Sequence, residues 1–188
     1  MSTTTVYDKS LLIKLIHQHA LQLGDFTLAS GEKADFYLDC RKLTLTGEGA
    51  NTISAGMIDL MRGDWPDAVG GMAIGADPIT ASIVTCAWQQ QLPLRGFIVR
   101  KEAKEHGTGR QVEGAAQPGD RAVIVEDVVT TGGSSIRAIE YAREFGLKID
   151  RILSIVDRQK GASERFAEIG VRLESLVQLD ELDIPSQK

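Results

Sequence analysis

RAVIVEDVVTTGGSSIRAIEYAREFG, residues 121–146, contains one complete strand–turn–helix unit. Ala122 to Val125 are apolar on successive positions, as in a strand covered on both faces, whereas SSIRAIEYAREFG spaces its apolar residues as a helix does. Glu126 and Asp127 end the strand, and Thr130 to Ser135 make the turn between the two. Outward from this unit, AVGGMAI (68–74), GFIVR (96–100) and RILSIVD (151–157) are further short runs rich in β-branched residues. Residues 47–62 predict a helix with Ile53, Met57, Leu60 and Met61 inward, and GADPITASIVTCAW predicts another, with Asp77 as N-cap and Pro78 as first helical residue. Strands alternating with helices predict an α/β fold, a doubly wound, mostly parallel sheet flanked by helices.

Toward the N-terminus the pattern differs. Leu11, Leu12, Leu15, Ile16 and Leu23 predict an amphipathic helix over 8–23, closed by Gly24. His17 and His19 lie on it two residues apart, on different sides and without a neighbour at metal-ligand spacing. FTLASGEKADFYLD (26–39) then alternates around a Ser-Gly-Glu-Lys turn and reads as a hairpin, a small hood drawn mainly from residues 1–45. With no repeat, low-complexity tract or Pro/Ser-rich linker, the 188 residues read as one domain.

Composition narrows the functional classes. Hydrophobic residues make up 43% and charged residues 25%, with no apolar run long enough for a bilayer span. The net charge of −5 sets the chain against nucleic acid and anionic membrane surfaces as partners. Cys40 and Cys86 suggest no disulfide framework and read as small core residues; with MSTTTVYDKS lacking the features of a secretory leader, a cytoplasmic setting is expected. One basic island, RKEAKEHGTGR (100–110), stands out from the acidic remainder with Arg100, Lys101, Lys104, His106 and Arg110.

Ligands of such sheets bind at the carboxyl ends of the strands, where Glu126 and Asp127 emerge. The TTGGSS turn opens a helix whose N–H groups and positive dipole end suit a phosphate; Thr130, Thr131, Ser134 and Ser135 offer hydroxyls, and Gly132 and Gly133 permit close approach. Neither GxxxxGK[ST] nor a GxGxxG after a strand is present. A carboxylate and a phosphate about 5 Å apart repel by roughly 3 kcal/mol per charge pair, so a ligand must separate or bridge them. By itself the turn marks a phosphate site.

VIVEDVVTTGGSS (123–135) resembles the phosphoribosyl pyrophosphate signature of the type I phosphoribosyltransferases, and RKEAKEHG resembles the catalytic loop, RK-x-x-K-x-HG, of the orotate phosphoribosyltransferase family. FTLASG with FYLDCRK resembles that family's hood, SIVDRQKG its base-binding strand end, and GMAIGADP stands at its pyrophosphate loop. The resemblance implies that Glu126 and Asp127 bind the ribose hydroxyls. Asp127, Val128, Val129, Thr130, Thr131, Gly132, Gly133 and Ser134 would wrap the 5-phosphate. Arg100, Lys101, Lys104 and His106, on a mobile loop over 101–114 with Gly107, Gly109 and Gly114, would act on the leaving pyrophosphate. Arg158 would pair with the orotate carboxylate, with Thr130 also at the base. It further implies Mg²⁺ held mainly through substrate, and a homodimer whose loop serves the partner's site. Two departures are Ala29, where some members have Lys, and Ile74-Gly75, where some have Tyr-Lys; Lys33 is the nearby candidate to substitute. A purine or uracil phosphoribosyltransferase shares the signature but gives no reason for Arg158 and RKEAKEHG. A regulator sensing phosphoribosyl pyrophosphate would keep the fold without the catalytic loop.

Overall fold

The computed structural model describes residues 6–27, 33–102 and 111–184. Helix α1, Lys9–Leu15, is capped by Asp8, whose carboxylate accepts from the N–H groups of Ser10 and Leu11. The helix expected over 8–23 stops short: a π turn, Ile16–Ala20, leads directly into strand β1, Leu21–Thr27. Leu21, Gln22 and Leu23 pair antiparallel with Leu38, Tyr37 and Phe36 of β2, Lys33–Leu38, and this pairing prevails over helical spacing. Gly24 therefore lies within a strand, at a register shift between Leu23 and Phe26, and caps no helix. His17 and His19 are exposed on the π turn.

A short helix α2, Arg41–Thr44, leads to α3, Gly47–Met61, capped by the Thr46 hydroxyl accepting from the Gly49 N–H. There follow β3 (Ala68–Met72), α4 (Ala76–Gln89), β4 (Arg95–Val99), β5 (Val112–Gly114), β6 (Arg121–Val129), α5 (Gly133–Glu144), β7 (Lys148–Asp157), α6 (Ala162–Glu168) and β8 (Arg172–Gln178). The sheet runs β5-β4-β3-β6-β7-β8, parallel throughout except for the β4–β5 edge pair. The β1–β2 hairpin forms a sheet of its own.

Alternate side chains of the strands enter two apolar layers. Val69, Val123, Val125 and Leu153 pack with Leu12, Ile16, Ile53, Met57, Ile79 and Ile83 on one face. Phe97, Ala122, Ile124 and Ile152 pack with Ile139, Ala142 and Phe166 on the other. Both faces of the sheet are covered, the physical reason for its unbroken apolar runs. Cys40 is fully buried, and Cys86 packs against the first layer. Among the described residues no helix is long and apolar enough to cross a membrane.

Three elements have no clear signal in the sequence. β8, RLESLVQ, is an edge strand and lacks a continuous apolar run; α6 has only seven residues; β5 occupies the C-terminal end of the span expected to be a mobile loop. Gly114 pairs with Phe97, and a Cβ there would sit 2.5 Å from the Gly96 carbonyl oxygen, so its missing side chain serves close strand packing. Helix α4 also begins two residues before the position expected. Gly75 occupies the cap position, where its missing Cβ leaves room for Asp127 and Glu126, and Asp77 falls inside the first turn. One Asp77 carboxylate oxygen is buried without a hydrogen-bond partner, and desolvation holds this acid above the usual carboxylate range.

At the opposite end of the sheet from these loops, Arg151 is buried and ties α3 to the last two strands. Its Nε donates to Glu174 at 3.0 Å, and its terminal nitrogens donate to the carbonyls of Leu60 at 2.9 Å and Asp64 at 3.1 Å. Arg151→Ala removes the side-chain donor from the Leu60 and Asp64 carbonyls and leaves Glu174 with Arg172. Urea denaturation should show a loss of about 2–4 kcal/mol with an unchanged m value.

Candidate active site

The chain reverses its winding direction between β3 and β6. From β3 it proceeds through α4 to β4 on one side, and from β6 through α5 to β7 on the other, while β3 and β6 themselves are neighbours. Their carboxyl ends diverge, and a crevice must open between the loops that follow. A cavity of about 390 Å³ lies there. Its walls include Tyr37, Asp39 and Arg41 from the hood side, Ala73 to Gly75 after β3, Glu126, Asp127, Thr130 and Ser134 after β6, and Lys101 and Arg158.

Glu126 is the most constrained of these groups. Only 7% exposed, it accepts from the hydroxyls of Ser135 at 2.8 Å and Ser134 at 3.3 Å. Burial, with the neighbouring charge of Asp127, pushes its carboxyl up to about 7. Asp127 is half-buried and accepts from the Val128 N–H at 2.8 Å. The serine contacts correct one expectation. Ser135 is buried and donates to Glu126, so its hydroxyl braces the strand end against α5 and is not turned to a phosphate.

The Thr130–Ser134 turn meets the helix as the sequence requires. Gly132 holds φ +75° at the N-cap of α5, and a Cβ there would lie 2.7 Å from the Phe166 ring. From the same helix α6, Arg165 donates to the Thr131 carbonyl at 2.6 Å. The turn is thus buttressed from behind. Of its residues, Thr130 and Ser134 reach the cavity wall along with Val128, whereas the Val129 side chain is buried in the apolar layer beneath.

Arg158 follows β7, and its N–H donates to the Val129 carbonyl at 2.9 Å, which seats it beside the exit of β6. Its guanidinium lies 5.0 Å from the centre of the Phe36 ring, and its Nε is buried without a hydrogen-bond partner. Lys101 is exposed on the cavity rim, while Arg100 is directed to Glu113 of β5 at 3.5 Å. Lys104, His106, Gly107, Gly109 and Ala29 lie outside the described residues. Lys33 is exposed at the far end of β2 and forms no part of the described cavity wall.

Tyr37, Phe36, Asp39 and Arg41 are the site residues that the sequence reading did not name. The available signal was FYLDCRK itself, an Asp and an Arg two apart where the hood strand ends. As hard oxygen donors facing one cavity, Glu126 and Asp127 fit a Mg²⁺ ion. No cluster of three or more His, Cys, Asp or Glu occurs among the described residues, so substrate and water would supply its remaining ligands.

A switch-point crevice with paired carboxylates, a helix-opening Thr/Gly/Ser turn and a hood defines a type I phosphoribosyltransferase. The chain is 53% identical over 175 residues to orotate phosphoribosyltransferase of Rhodopirellula baltica, covering 90% of this chain and 91% of that one. It belongs to the orotate phosphoribosyltransferase family. The Aquifex aeolicus relative is 39% identical over 178 residues, covering 93% and 97%. Mycobacterium tuberculosis orotate phosphoribosyltransferase, solved with 5-phospho-α-D-ribosyl 1-diphosphate, matches with a TM-score of 0.78 at 29% identity over 94% of this chain and 99% of that one. No protein-family model matches the chain.

The raised Glu126 gives a test with a definite sign. Between about 4.5 and 7 the native state holds a proton that the unfolded chain has released, so its stabilisation is full below that window and is lost as pH rises through it. Glu126→Gln cannot ionise and escapes the loss. Its melting midpoint should match the wild type at pH 4 and exceed it by about 2–8 °C at pH 8, read by calorimetry without ligand. Equal midpoints at both values would remove the raised carboxyl.

Proposed function

We propose that the protein transfers ribose 5-phosphate from phosphoribosyl pyrophosphate to orotate, releasing pyrophosphate and forming orotidine 5-phosphate, a step of pyrimidine synthesis. The observation that carries this reading is the placement of Glu126, Asp127, the Thr130–Ser134 turn and Arg158 around one cavity. Each group has a distinct chemical partner. The carboxylates would accept from the ribose 2- and 3-hydroxyls, and the turn would donate to the 5-phosphate. Arg158, with its Nε unpaired, offers a planar fork to the orotate carboxylate.

In the reaction the C1–O bond to pyrophosphate breaks with both electrons leaving on oxygen, and the orotate nitrogen forms the new bond to C1. The sugar passes through an oxocarbenium-like state. Asp127 and Glu126 would counter that positive charge, and orotate attacks as its ring-nitrogen anion, the N–H proton having passed to solvent, so that no general base from the protein is required. Bound Mg²⁺ supplies charge neutralisation on the pyrophosphate oxygens. Lys101 at the rim, with Arg100, Lys104 and His106, would close over that group and exclude water. The reading includes a single domain over 1–188, a cytoplasmic setting and a homodimer whose loop, from Lys101 to the start of β5, enters the partner's site.

Orotate consumption followed by absorbance, with Mg²⁺ and phosphoribosyl pyrophosphate, should proceed where adenine, hypoxanthine and uracil do not. Turnover of another base in place of orotate would overturn the assignment. Sharing of sites has its own check. Lys104→Ala and Asp127→Ala subunits, each inactive alone, should regain part of the activity when mixed, because one site of the heterodimer then combines the intact loop of one subunit with the intact pocket of the other.

A further inference from the structure

The leaving pyrophosphate carries the largest charge of any group in the proposed reaction, yet the loop after β3, which the resemblance sets at the pyrophosphate, offers no cationic side chain to the cavity. Ile74 and Gly75 follow β3 in place of Tyr-Lys, and Lys33, the substitute suggested by the sequence, lies away from the described cavity wall. Another cation does reach it. Arg41 begins α2, which packs against α3 and α4, and it lines the same cavity as Ala73, Ile74 and Gly75, the residues leading into α4.

The geometry of Arg41 suits anion binding. Asp39 holds the guanidinium along one edge, accepting from Nε at 2.8 Å and from Nη2 at 3.2 Å. The same carboxylate accepts from the Arg41 backbone N–H at 3.2 Å, so one residue orients both the turn and the side chain. Five N–H donors belong to a guanidinium, and this bidentate pair uses two of them. The remaining donors are accessible. The Arg41 side chain is 49% exposed, against 15% for Asp39, so the cation faces solvent while its counter-charge is set behind it. Arg158 is seated elsewhere, beside the exit of β6 and against Phe36.

We propose that Arg41 is a pyrophosphate-binding residue, oriented by Asp39, and that it supplies the cationic contact missing at Ile74-Gly75. This rests on the function proposed above. An Arg reaching in from the hood side substitutes for a Lys on the loop, because the cavity wall, rather than the order of residues along the chain, decides which cations meet the leaving group. Asp39 acts as a positioning residue: it takes no part in the contact itself but fixes the fork before the ligand arrives.

The test uses Arg41→Gln, Arg41→Lys and Asp39→Asn in the full chain, with two readouts. Binding of inorganic pyrophosphate with Mg²⁺ is measured by calorimetry, which requires no turnover. Michaelis constants for phosphoribosyl pyrophosphate and orotate are measured separately. Arg41→Gln should weaken pyrophosphate binding and raise the Michaelis constant for phosphoribosyl pyrophosphate by about 10- to 100-fold, as loss of a charge-assisted contact predicts. The constant for orotate should stay within about twofold and the melting midpoint nearly unchanged, since a partly exposed ion pair contributes little to the fold. Arg41→Lys should recover part of the binding, and Asp39→Asn should show a smaller loss. Unchanged pyrophosphate binding in folded Arg41→Gln, or a rise confined to the orotate constant, would overturn the assignment. Should Arg41→Gln fold poorly, folded Arg41→Lys decides, because its point charge cannot reproduce the fork and full wild-type affinity would count against the proposal. Wild-type protein that binds pyrophosphate through Arg41 but leaves orotate unconsumed would overturn the base assignment alone.

Discussion

The structure turns on the buried carboxyl end of β6. This strand lies between β3 and β7 with both faces covered, so whatever follows its apolar run leaves the sheet in a region of low dielectric. Glu126 occupies that point. It is kept there by the Ser135 hydroxyl from the first turn of α5, which makes strand and helix share one polar contact at the floor of the cavity. The neighbouring loops are arranged around this contact. Gly75 approaches the two carboxylates where no Cβ would fit comfortably, and Gly132 turns the chain against Phe166 to start the helix.

A cavity built this way must balance charge. Its described wall carries Asp39, Glu126 and Asp127 against Arg41, Lys101 and Arg158. Pairing divides these groups by task. Asp39 is committed to Arg41, and Arg158 is stacked on Phe36 with a donor left over, while Glu126 sits beside Asp127 with its carboxyl pushed up to about 7. Two adjacent carboxylates in a buried setting resist holding two negative charges, and a ligand that brings hydroxyl donors or a divalent cation relieves that resistance.

The main sheet was legible because burial on both faces writes itself into composition. RAVIV, GFIV and RILSIV can be little else when separated by helical segments. The errors fall where that rule weakens. Over residues 8–23 the helical spacing persisted past Ala20, but Leu21 to Leu23 found partners across the hairpin, which a local pattern cannot register. RLESLVQ carries no strand signal, since an edge strand needs no continuous apolar run. Asp77 has the residue type of a cap, whereas the helix starts two residues earlier, from Gly75, where the chain passes close to Asp127.

By itself the sequence determined the class of sheet, the strand end bearing Glu126 and Asp127, and the turn that follows them, since all three are continuous in the chain and arise from local periodicity and turn chemistry. Only the tertiary structure decided which distant residues share the cavity. It brought Arg41 to the site and left Lys33 outside its described wall, joined Arg158 to Phe36, and assigned Ser135 to Glu126 rather than to a ligand. The physical reason is that contacts of this kind depend on how strands order themselves and how a hairpin lies over them. That arrangement minimises exposed apolar surface across the whole molecule, and no short stretch of sequence contains it.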